Sequence, residues 1–82
     1  MKETIIYRVY GCDTGGYDNL NAEFTDAVDA CTYAVAQCGI IHYGLPRVKK
    51  YTYRYNPNTY TVTTDKVEIL TEKQIYDLST YI

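Results

Sequence analysis

Apolar residues in the first half of the chain recur at two different periods, and each period predicts an element. From Thr4 to Tyr10 they alternate. Ile5, Tyr7 and Val9 line one face and Ile6, Arg8 and Tyr10 the other, which is a β-strand with its more apolar face toward a core. From Phe24 to Cys38 the spacing changes to fours and threes. Phe24, Val28, Cys31, Val35 and Cys38, widened by Ala27 and Ala34, make one stripe of an amphipathic helix about four turns long. A start between Asn21 and Thr25, either of which can cap, and an end at Gly39 are expected. The stretch 11–19, with glycines at 11, 15 and 16 among Asp and Asn, reads as a loop.

The second half returns to alternation. Val48 to Tyr55 and Tyr60 to Thr64 read as a hairpin around Asn56, Pro57, Asn58 and Thr59. In that register Tyr55 faces Tyr60, Tyr53 faces Val62 and Tyr51 faces Thr64 on one side; Arg54, Thr52 and Lys50 oppose Thr61, Thr63 and Asp65 on the other. The tyrosine side is expected to meet the helix and the polar side water. A one-residue slip would turn every tyrosine outward. Thr71, Glu72, Lys73 and Gln74 match a capping box, with Leu70 and Ile75 as its hydrophobic staple, so a short helix should run from Glu72 to about Thr80. Ile40 to Tyr43 is either a brief strand or the close of the helix. The order β-α-(β)-β-β-α predicts one α+β domain over 1–82, in two layers: a small antiparallel sheet packed on the long helix. Its core would hold Ile5, Tyr7, Val9, the helix stripe, Tyr53, Val62 and the end helix.

Charge changes this picture more than composition does. At 82 residues the chain suits a single core, and no window approaches the roughly 18 apolar residues of a membrane span. Met1, Lys2 and Glu3 do not read as a secretion signal, so a cytoplasmic location is expected. The net charge of −2 conceals a segregation: acids gather at Asp13, Asp18, Glu23, Asp26 and Asp29, bases at Arg47, Lys49, Lys50 and Arg54. Neither a nucleic-acid mimic nor a general nucleic-acid binder fits that total.

The candidate chemistry is thin. Three cysteines argue against a disulfide framework, and Cys31 and Cys38 lie about 10 Å apart along one helix, too far to bridge. With no CxxC and a lone His42, neither a zinc site nor a cofactor is expected. Asp13, Thr14 and Gly15 spell the Asp-Thr-Gly of aspartic proteases, but a long helix straight after them is wrong for that mostly β family, and the triplet also suits an ordinary turn. No catalytic set emerges, so the chain is expected not to be an enzyme.

The surplus lies in tyrosine: eleven, against one Phe and no Trp. Exposed tyrosines beside acids suit a protein interface. In size, mild acidity, tyrosine content and layout the chain loosely resembles small phage-encoded anti-defence proteins such as the anti-CRISPR inhibitors. That resemblance implies an inhibitor occupying a basic, nucleic-acid-binding surface of a bacterial immune complex in the host cytoplasm. The acidic helix start, Asp18, Glu23, Asp26 and Asp29 with Tyr33, would carry the partner contact. The alternative is a nucleic-acid-binding module using Arg8, Tyr10, Arg47, Lys49, Lys50 and Arg54 on an open sheet face. A monomer, or a homodimer joined through tyrosines or a sheet edge, accommodates either reading.

Overall fold

The computed structural model describes residues 2–11, 19–38 and 47–80. It is an α+β arrangement of a four-stranded antiparallel sheet and two short helices. The strands are β1 (Lys2–Tyr10), β2 (Leu20–Phe24), β3 (Arg47–Asn56) and β4 (Thr61–Ile69), and the helices α1 (Ala27–Tyr33) and α2 (Glu72–Leu78). The sheet order is β2-β1-β3-β4. The possible strand at 40–43 and the helix stop at Gly39 lie outside the described residues.

The long helix is the first correction. Residues 20–24 form a strand, and Phe24 belongs to it. Asp26 decides where the helix starts. Its extended backbone and a carboxylate accepting the Val28 amide at 2.7 Å make it the cap, so neither Asn21 nor Thr25 serves. After seven α-helical residues the chain widens into a π-helical turn, Ala34–Cys38. The face that reaches the sheet is therefore built from small residues. Ala30, Cys31 and Ala34 are fully buried, and Tyr33 and Val35 pack at the margin. Cys31 is a free thiol inside this core, and burial pushes its pKa up.

Small residues let α1 approach closely, and they meet Val9 and Val48, both at zero exposure. Ile75 of α2, 2% exposed, completes the cluster. Fully burying side chains of this size is worth roughly 1.5–3 kcal/mol each. The capping box sets α2 in place. Gln74 N–H donates to Thr71 Oγ1 at 3.2 Å, and Thr71 N–H donates to Gln74 Oε1 at 2.8 Å. At its far end Thr80 N–H donates to Thr32 Oγ1 at 3.0 Å, tying the segment to α1.

The second correction concerns which face the tyrosines take. On the helix side β1 and β3 pair Val9 with Val48, Tyr7 with Lys50 and Ile5 with Thr52. On the other side they pair Arg8 with Lys49, Ile6 with Tyr51, Thr4 with Tyr53 and Lys2 with Tyr55. The odd positions of β1 do point inward, but they join the even positions of β3. Tyr51, Tyr53 and Tyr55 therefore lie on the open face, and Thr52 is buried at 8% exposure. Tyr53 and Val62 leave the predicted core. The hairpin itself shifts by one residue at each arm. Pro57 to Tyr60 form the loop, Asn56 meets Thr61, Tyr55 meets Val62 and Tyr53 meets Thr64. Tyr60 closes it in the left-handed region at φ 55°. A bulge then carries Asp65 past Thr52, so that Tyr51 meets Val67 and Lys49 meets Ile69.

Candidate functional site

The open face of β1 and β3 holds a side-chain network that alternation alone assembles. Arg8 and Tyr10 rise from β1, and Lys49, Tyr51 and Tyr53 rise beside them from β3. The Tyr51 and Tyr53 rings stack 6.0 Å apart and 8° from parallel. The Arg8 guanidinium lies over Tyr51 with its central carbon 4.4 Å from the ring centroid, and 5.7 Å from that of Tyr53. Arg8 Nε donates to Glu23 Oε1 at 2.8 Å and Nη1 donates to the Tyr53 hydroxyl at 2.6 Å. The hydrogen bond to Glu23 is the main cause of a further rise in the already high Arg8 pKa. Tyr10 and Tyr51 hydroxyls share a hydrogen bond of 3.1 Å, and the Lys49 ammonium sits 4.9 Å from the Tyr10 ring centroid. Burial first, then the bond to Tyr51, pushes the Tyr10 phenol up to about 12.

This network ends where a groove begins. Lys2, Thr4, Ile6, Arg8, Tyr53, Tyr55 and Val62 line an open depression of about 570 Å³ on the same face. Its floor is apolar, and Tyr55, 36% exposed, has the accessible ring. Val62, Val67 and Ile69 continue the apolar strip along β4 at 63, 49 and 59% exposure.

Charge divides between the faces. By register, Lys2, Arg8, Arg47 and Lys49 occupy open-face positions. Glu23 is the acid that joins them among the described strand residues. On the helix side bases and acids are interleaved. Arg54 lies 3.4 Å from Asp65 and 4.0 Å from Glu3, Lys66 lies 2.6 Å from Glu68, and Lys50 opposes Glu68. The charged ends of Lys66 and Glu68 reinforce each other, raising the lysine pKa and lowering the carboxylate's.

The predicted basic set is thus split. Arg8, Tyr10, Arg47 and Lys49 stand together on the open face, whereas Lys50 and Arg54 take positions on the helix side. The predicted acidic set is also spread. Asp18 lies outside the described residues, Asp26 caps α1, and Glu23 holds Arg8 from the open face. Glu23 and Asp29 still share one cleft, of about 380 Å³, with Ile6, Phe24 and Thr25. Tyr33 is half-buried against Phe24, ring centroids 5.4 Å apart, as a flank of the core. Sequence reasoning placed Ile6 beside Arg8 and Tyr10 on the outer side of β1 without counting it in the site, and missed Lys2 and Val62. Lys2 was detectable as a partner of Arg8 in the alternation of β1, but Val62 depends on the hairpin register.

Among the described residues no three His, Cys, Asp or Glu side chains gather as a metal-binding group, and no helix is long and apolar enough to cross a membrane. What the open face offers chemically is recognition: flat rings, an apolar floor and cations at its margin. Compared with protein-family models, with curated proteins and with solved structures, the chain gives no match.

Proposed function

We propose that the chain is a non-enzymatic binding module whose working surface is the open sheet face, and that its ligand is single-stranded nucleic acid. The observation that carries this reading is the placement of Tyr51, Tyr53 and Tyr55 beside Arg8, Tyr10, Arg47 and Lys49. Bases stack on aromatic rings while phosphates seek cations, and a sheet face with both is a sequence-tolerant platform. Tyr55, between Lys2 and Val62 on the neighbouring strands, supplies the first stacking position. Tyr51 and Tyr53 are engaged with each other and with Arg8, so they stiffen the platform beneath the ligand. The reading takes the molecule as two layers, with both helices on the far side of the sheet.

Adjacent lysines test it. A fluorescently labelled oligothymidylate should bind with an affinity that falls steeply as salt rises, and Lys49→Gln should reduce the slope of log K against log salt by about one. Lys50→Gln, one residue along but on the helix side, should leave the slope unchanged. Equal effects of the two, or binding indifferent to salt, would contradict the proposal.

A second reading has its own observation. The cleft shared by Glu23 and Asp29 keeps two members of the acidic set together, which suits a basic protein partner and the inhibitor role that the resemblance to anti-defence proteins implies. Charge reversal at Asp29 should then weaken capture of such a partner and leave oligonucleotide binding intact.

A further inference from the structure

Among the described residues β4 is an edge strand, nine residues long and exposed throughout except for the partly buried Glu68. An edge of that length is an open template for another strand unless something blunts it. Bulges and lysines are the usual blunting devices, and β4 has one of each at its centre. Their placement has a second consequence. β3 runs straight while β4 skips a residue at Asp65, so the open-face positions of β4 change parity there. Val62 and Thr64 precede the bulge, and Val67 and Ile69 follow it, opposite Tyr55, Tyr53, Tyr51 and Lys49 respectively.

That change of parity makes the strand complementary to itself. Turned about a two-fold axis between positions 65 and 66, β4 meets its own copy with Val62 opposite Ile69 and Thr64 opposite Val67, each pair on the open face. Thr63 then opposes Glu68 on the helix side, and at the axis Asp65 opposes Lys66 twice over. Over eight positions, about 27 Å of strand, apolar Val62 meets apolar Ile69, acidic Asp65 meets basic Lys66, and the threonines face Val67 and Glu68 without a like-charge clash. A register displaced by one residue sets open-face side chains against helix-side ones.

From this self-complementarity we infer that β4 pairs antiparallel with β4 of a second copy of this chain, extending the sheet from four strands to eight. The two open faces then lie side by side on one surface, doubling the track that carries Tyr55 and its neighbours. The pairing is isologous, as a two-fold contact requires. It does not depend on the nucleic-acid reading, because the edge of β4 is used and its open face remains available.

Charge exchange at the axis provides the test, read by sedimentation equilibrium of the full chain. The wild type should show twice the 9.4 kDa chain mass. Asp65→Lys sets lysine against lysine and Lys66→Asp sets aspartate against aspartate, so each variant alone should dissociate about tenfold more readily. An equimolar mixture restores both pairs and should recover the dimer as a heterodimer. Circular dichroism of the separate variants checks that each is folded. Amide exchange of the wild type is the independent arm: protection within Thr61–Ile69 should rise with protein concentration. A wild-type mass of one chain at every concentration, a dimer indifferent to both substitutions, or concentration-dependent protection in β2 instead of β4 would each overturn the inference.

Discussion

On the helix side of the sheet Val9 and Val48 lie fully buried beneath Ala30, Cys31 and Ala34. On the opposite face of the same strands Tyr51 and Tyr53 stack under Arg8 and leave Tyr55, with Val62 of β4, at the surface. Both faces are ordered, but by different means. The inner face is held by close packing of small and branched side chains, which loses stability if any atom is removed. The outer face is held by stacking, cation–π contacts and hydrogen bonds among groups that still touch water, which fixes side-chain positions without hiding them. The comparison teaches that an exposed tyrosine row is compatible with a stable fold when the opposite face supplies the core.

The largest expected effect breaks the inner face. Ile75→Ala empties the place of a side chain 2% exposed and should cost about 2–5 kcal/mol in urea unfolding. Tyr55→Ala, on the other face and 36% exposed, should cost about 1 kcal/mol of stability, less than Ile75→Ala, yet weaken oligonucleotide binding by about 1–3 kcal/mol. If Tyr55→Ala destabilises as much as Ile75→Ala, the two faces do not divide stability and binding as described.

A smaller effect sharpens the comparison through pH. The Tyr10 phenol is raised from its ordinary value of 10 to about 12 in the folded chain. The folded state therefore keeps this proton after the unfolded chain has lost it. The associated stability is fully present below pH 10 and is lost as the pH climbs toward 12. Tyr10→Phe removes the titrating group, so its urea midpoint should fall less than that of the wild type over this interval. Superimposable curves would mean that the folded chain does not hold the Tyr10 phenol out of water beside Tyr51 as described.

The sequence made some of this division legible. β1, its inward odd positions, the hairpin and the capped C-terminal helix follow from alternation and from the Thr71 capping box. β2 was hidden because Leu20-Asn21-Ala22-Glu23-Phe24, although it alternates apolar with polar, is short, lacks β-branched residues and carries Asn, Ala and Glu, which are poor strand formers; it forms by pairing with β1. The helix stripe was legible in part: Cys31, Ala34 and Val35 do meet the core, whereas Phe24 belongs to β2 and Ala30 was not in the predicted stripe. The orientation of the hairpin was the consequential miss. Tyrosine bulk suggested core, but a helix that approaches on Ala30, Cys31 and Ala34 leaves room for Val48 and none for a row of rings. Val48, the one apolar residue among the even positions of β3, was the signal that pointed to the right face.

The most direct test of the open-face account is a map of backbone amide shifts in a labelled sample titrated with oligothymidylate. The account predicts saturable changes confined to Lys2, Ile6, Arg8, Lys49, Tyr53, Tyr55 and Val62, with Ala30, Cys31 and Ile75 unmoved. Changes centred on Glu23 and Asp29, or no saturable change at all, would contradict it.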